Sequence, residues 1–175
     1  VIKLILSRGV EHGPAPTAWV TAATAPDNTA SRQGGIRLAT LDRGFDLDAP
    51  ARAPWLLLGA KTLSYAVNMA AIREAKRRGA DDALFVSTDG FVTPEPSGGI
   101  LHGTTQLSVY EHLESLGFAT SYAKIPVADL KTADAAWLLS SVRLAAPVVA
   151  IDGTVLPVDA DLTASVNQYL LTPRD

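Results

Sequence analysis

Trp55-Leu56-Leu57-Leu58-Gly59-Ala60-Lys61-Thr62-Leu63-Ser64-Tyr65 reads as an apolar run, two small residues and then an amine at the entrance to a helical pattern. An amine at the edge of a core is partly desolvated, which disfavours its charged form and leaves free amine to attack an aldehyde and form a Schiff base. Lys61 is therefore the first candidate for covalent chemistry. Taken alone it is also compatible with a surface lysine in the first turn of a helix. From Thr62 to Arg78 the residues Leu63, Val67, Ala70, Ala71, Ile72 and Ala75 recur at helical spacing, Lys76-Arg77-Arg78 form a basic last turn, and Gly79 is placed to stop the helix.

Working outward, 175 residues suffice for one domain of ordinary size with a substantial core. The chain has no cysteine, which removes thiol catalysis and disulfides and suits a cytoplasmic protein. Fifteen Lys and Arg against eighteen Asp and Glu leave a formal charge of −3, so no broad basic field invites nucleic acid or an anionic membrane. No apolar stretch approaches the roughly eighteen residues of a membrane span, and no leader resembles a signal peptide. His12, His102 and His112 show no metal-binding spacing, and no carboxylate cluster suggests a metal site. There is no Gly-x-Ser-x-Gly elbow and no Walker or dinucleotide glycine fingerprint.

Ile2 to Ser7 and Ala18 to Thr21 read as a hairpin across the turn-rich stretch Gly9 to Pro16. The chain opens on a strand already in progress, so partner strands are expected before Val1. Thr24 to Gln33 is small and polar and reads as an exposed connection. Strand character returns at Gly35 to Leu41, and Asp42 to Pro54 reads as irregular. Asp82 to Val86 is a strand that turns through Thr88-Asp89-Gly90 into Phe91-Val92, followed by the loop Pro94-Glu95-Pro96-Ser97-Gly98-Gly99. A helix is expected from Gln106 to Leu116 and another from Asp161 to Leu171, with strands at Ala119 to Tyr122, Ala136 to Leu139 and Pro147 to Ile151. Strands interspersed with helices favour a mixed sheet or barrel flanked by helices over a bundle.

Two further groups can carry chemistry. Gly103-Thr104-Thr105 stands at a helix start, where unpaired N–H groups and the positive end of the dipole favour phosphate; the bland alternative is an N-capping threonine. Ser140-Ser141 ends an apolar strand, a common place for ligand contacts and equally for a polar turn. Arg8, at the end of the first strand, can clamp a carboxylate or can simply be solvated.

Together, Lys61-Thr62-Leu63-Ser64-Tyr65, Asp89-Gly90-Phe91-Val92-Thr93, Gly99-Ile100-Leu101-His102-Gly103-Thr104-Thr105 and Ser140-Ser141 with Pro147-Val148 and Ile151-Asp152-Gly153 resemble, in that order, the class IV (fold-type IV) pyridoxal-phosphate enzymes. That family holds branched-chain aminotransferases, D-amino-acid aminotransferases and 4-amino-4-deoxychorismate lyases, and the wording around Lys61 and Ser140-Ser141-Val142-Arg143 is most similar to the lyase branch. The resemblance implies an α/β (α+β) fold with a mixed, barrel-like sheet flanked by helices. It implies pyridoxal 5'-phosphate as cofactor, Lys61 as the residue that carries it, Thr104 and Thr105 as the phosphate pair, and Ser141 near phosphate and substrate carboxylate. Arg8, Tyr65 and Ser140 match positions used for the substrate, with Ser140 standing where the family has a glycine. A homodimer is also implied.

By the same resemblance, residues 1–23 are a remnant of a small N-terminal domain, 24–34 a linker, and 35–175 the cofactor-binding domain. The family's phosphate-contacting arginine would lie before Val1. Its pyridinium-pairing glutamate is out of register, because Thr93 runs straight into Pro94-Glu95-Pro96-Ser97; the expectation is that roughly twenty residues of the family pattern are missing there. The implied function is aminodeoxychorismate lyase, releasing pyruvate and 4-aminobenzoate for folate synthesis. The alternatives are a branched-chain or D-amino-acid aminotransferase and a noncatalytic, dimerising remnant of the fold.

Overall fold

The computed structural model describes residues 1–93, 101 and 103–173. The loop Pro94 to Gly99 and His102 lie outside the described residues. Strands β1 (Ile2–Ser7) and β2 (Thr17–Ala22) form the expected antiparallel hairpin, which packs chiefly on itself. The main sheet has the order β4-β3-β8-β7, with β3 (Ile36–Asp42) between β4 (Asp82–Val86) and β8 (Leu144–Ile151) and parallel to both. Strand β7 (Trp137–Ser140) pairs antiparallel with the first half of β8, while the second half of β8 pairs with β3 and with the short β9 (Thr154–Val155). One long strand thus joins two sections of sheet and curls it. A small separate ladder joins β5 (Phe91–Val92) to β6 (Ile125–Pro126).

Strand periodicity sends alternate residues to opposite faces. On β8, Ala145 packs with Val109, Val166 and Trp137, while Ala146 and Val148 pack with Ile36, Leu38, Ile151 and Leu156. Helices α4 (Thr104–Ser115) and α6 (Ala160–Leu171) therefore cover one face. They are joined at their outer edge by His112, whose Nε2 lies 2.8 Å from Ser165 Oγ and whose ring stacks on Tyr169. Helix α3 (Ala66–Arg77) closes over β3 and β4 through a tight cluster of Ala39, Ala75, Ala80 and Ala83. Small side chains there let helix and sheet approach closely. Gly79 and Gly117, both with positive φ, end α3 and α4 as expected.

Several expectations are corrected. Within Thr24 to Gln33, residues from Thr29 onward form helix α1 (Thr29–Gly34), which packs on β8, because Asp27 Oδ1 accepts from Thr29 N and sets the first turn. Asp42 to Pro54 is not wholly irregular: it holds α2 (Ala49–Arg52), followed by a 3-10 turn at Pro54–Leu56. Ala119 to Tyr122 makes no strand; pairing occurs instead at Ile125–Pro126, and a short α5 (Val127–Leu130) follows. The helix expected from Thr62 begins only at Ala66. Thr62 Oγ1 accepts from Ser64 N, and Thr62 N and Tyr65 N bond carbonyls two residues back, so local turns occupy the groups a helix would need.

Candidate active site

The stretch from Leu56 to Tyr65 forms one wall of a cavity of about 680 Å³, within the range of cofactor and small-ligand sites. Its chain path is bent at two residues with positive φ, Leu57 (φ 52) and Gly59 (φ 83). Ala60, Thr62, Ser64 and Tyr65 line the cavity, Phe45 and Phe85 supply aromatic walls, and Leu101 closes it from the lead-in to α4. Lys61 stands between two lining residues but is itself exposed. The burial expected of its amine is therefore not found, because Lys61 lies in the irregular, exposed stretch 60–65 rather than in the first turn of a packed helix.

Gly103 is the N-cap of α4, with extended backbone (φ −82, ψ 110) and no side-chain capping bond. Neither threonine is the cap: Thr104 and Thr105 are the first two helical residues. Their amides belong to the group that a helix leaves without intrahelical acceptors, and no side chain caps them, so the start of α4 can receive an anion. Leu101, two residues before Gly103, belongs to the cavity wall, whereas Gly103, Thr104 and Thr105 are not among the lining residues.

Ser140 ends β7, and Ser141-Val142-Arg143 turn the chain into β8. Ser140 Oγ accepts from Arg143 N at 2.9 Å, and Ser141 is exposed. The turn closes at Leu144, whose φ of 68 is costly for a branched side chain, on the order of 1–2 kcal/mol. Arg143 reaches across to Asp82 on β4, and Asp82 lines the cavity. Arg8, by contrast, is exposed at the tip side of the β1–β2 hairpin and is not among the lining residues.

Sequence reasoning missed Arg43, Asp82, Leu101 and Arg143. Arg43 lines the cavity, and burial pulls its guanidinium below the ordinary value while leaving it charged at neutral pH. Leu101 and Arg143 fall within the motif stretches but carried no role there, and no local motif marks Arg43 or Asp82; strand order alone brings Asp82 to Arg143, 61 positions away. Among the described residues no group of His, Asp and Glu could hold a metal ion, and no helix is long and apolar enough to cross a membrane.

The family profile described as amino-transferase class IV matches residues 1–93 and 91–151. The chain belongs to the class IV aminotransferase family. Its curled sheet and helices are those of a fold-type IV aminotransferase: a fold IV-transaminase from Curtobacterium pusillum superposes with a TM-score of 0.94 at 46% identity, over 99% of this chain and 65% of that one. A hypothetical aminotransferase from Mycobacterium tuberculosis, in its PLP-bound form, gives 0.91 at 41% identity, over 99% and 68%. The bifunctional aminodeoxychorismate lyase / D-amino acid transaminase of Mycobacterium tuberculosis (strain ATCC 25618 / H37Rv) is 42% identical over 181 residues, 89% of this chain and 63% of that protein. This class IV chain thus spans under two thirds of that relative's length. Its 89% share of 175 residues is about 156, so about 25 of the 181 aligned positions have no counterpart here. The family match itself divides at residues 91–93, beside the Thr93-Pro94 junction.

Proposed function

We propose that this class IV chain acts with pyridoxal 5'-phosphate on an amino substrate, and that its chemistry combines aminodeoxychorismate lyase and D-amino-acid transaminase activity. The observation that carries this is the cavity shared by the Lys61 segment and the lead-in to the uncapped start of α4. It has the size for the cofactor, and in this reading Lys61, set between two lining residues, and the amides at the start of α4 serve it. When bound, the cofactor supplies an electron sink for charge developing at the substrate α-carbon. In this reading the amides of Thr104 and Thr105 hold its phosphate, and Ser141 contributes a hydroxyl near phosphate and substrate carboxylate. Lys61 Nζ would be the covalent anchor and, once displaced by the substrate amine and free again, would take the proton from the substrate α-carbon. Tyr65, which lines the cavity, would contact the substrate there. Arg8 remains a proposed carboxylate clamp, carried on the exposed hairpin that we assign, with residues 1–23, to a smaller domain.

The lyase-and-transaminase pairing is supported by the two activities of the 42% identical relative, and by a form of the hypothetical Mycobacterium tuberculosis aminotransferase that holds alpha-ketoglutarate and PMP. Titration of the purified chain with pyridoxal phosphate is expected to give the near-visible band of covalently bound cofactor, abolished by Lys61→Ala with the fold retained. A protein that gives no band, or one whose band survives Lys61→Ala, contradicts the assignment. Pyruvate released from aminodeoxychorismate without an acceptor marks the lyase reaction, and consumption of a D-amino acid only with 2-oxoglutarate marks the transaminase.

A further inference from the structure

The turn that carries Ser141 is held by one local bond and by two residues far away in sequence, Asp82 and Asn28. Arg143 N donates to Ser140 Oγ, and the Arg143 guanidinium donates to Asp82 Oδ2 at 3.0 Å. Both side chains of that ion pair are largely covered, 27% and 21% exposed, so solvent screens it less than a surface pair. The other oxygen of Asp82 accepts from Ala83 N, which fixes the carboxylate in place on β4. On the third side Asn28 Nδ2 donates to Val142 O at 3.4 Å, from the residue that precedes α1. Asp82 is at once the anchor of the turn and part of the cavity wall.

We propose that Arg143 is a positioning residue: paired with Asp82 and bonded to Ser140, it sets where Ser141 stands relative to the cavity, and so sets affinity for the substrate carboxylate without touching it. The Ser140 hydroxyl serves the turn in this arrangement. A leucine held at positive φ immediately after Arg143 fits a turn whose shape is imposed by such contacts. The inference rests on the cofactor reading above.

The test uses the chain reconstituted with pyridoxal phosphate and a D-amino acid with 2-oxoglutarate. Arg143→Met is expected to raise KM for the amino substrate about tenfold, with kcat changed by less than about threefold and the cofactor band intact, the size expected for one lost coupled contact. Asp82→Asn should do the same, Arg143→Lys should recover part of the loss, and the double variant should be no worse than either single. Should Arg143→Met fail to fold, Asp82→Asn and Arg143→Lys carry the comparison. KM unchanged in folded variants with a normal band, or losses that multiply in the double variant, would overturn the proposal and leave the cofactor reading standing. Absence of the band in the unsubstituted protein would instead remove that reading and this proposal together.

Discussion

Asp152 shows how much one side chain can organise at the end of a strand. Its carboxylate accepts from Thr40 N, Thr40 Oγ1 and Lys131 Nζ, tying the β8–β9 turn to β3 and to the residue after α5. Burial pushes its pKa up, but the Thr40 amide and hydroxyl and the Lys131 ammonium together outweigh that, and the result lies below the ordinary carboxylate value. A depressed folded value means that the stabilisation is complete above the unfolded value of about 3.9 and is lost as pH falls through the folded one. Asp152→Asn suits the test, since asparagine also tolerates the positive φ of this position. It is expected to cost about 1–2 kcal/mol near neutral pH, with the gap from the unsubstituted protein closing below about pH 3. Urea titrations at both pH values check this, and a gap independent of pH contradicts it. Lys61 teaches the complementary lesson at this scale: the residue type and its neighbours were legible, whereas its exposure was not, because exposure depends on what packs against the segment.

At the scale of elements, the junction of α1 and β3 turns on Gly35. Its φ is 76, and a Cβ there would lie 2.3 Å from Val149 Cγ1 and 2.9 Å from the Pro147 carbonyl oxygen. Those atoms belong to β8 at the point where the β3–β8 register slips past Val149. Gly35→Ala combines an unfavourable backbone region with a clash against a strand interior, and is expected to destabilise by about 3 kcal/mol. A thermal melt within about 2 °C of the parent protein would contradict it. Gly35 to Leu41, Asp82 to Val86 and Asp161 to Leu171 were readable as elements, within a residue of the observed ends, because their apolar periodicity is strong. Ends such as Thr62 to Tyr65 were not, since side-chain hydroxyls compete there with helical hydrogen bonds.

At the scale of the whole molecule, the described residues leave apolar surface uncovered. Ile2, Leu4, Leu6 and Val20 share one face of the β1–β2 hairpin, with Leu4 80% exposed, and Trp55, Leu57, Leu63 and Val67, flanking Lys61 in sequence, are exposed too, Leu57 and Val67 as part of the cavity lining. Contiguous apolar surface of this kind marks places where another surface docks. The chain is therefore expected to associate at micromolar concentrations, and Leu4→Lys to reduce that association; sedimentation showing a strictly monomeric species throughout contradicts this.

Local chemistry within the sequence determined the amine at position 61, the glycine-led helix start at Thr104, the serine pair at a strand end and the family to which these belong, because each is a short-range pattern. Only the tertiary structure decided that β3 lies between β4 and β8, that Asp82 meets Arg143, and that the Lys61 segment and the approach to α4 share one cavity. Those facts depend on which strands pair across long separations, and pairing is settled by the mutual burial of faces that no local window contains.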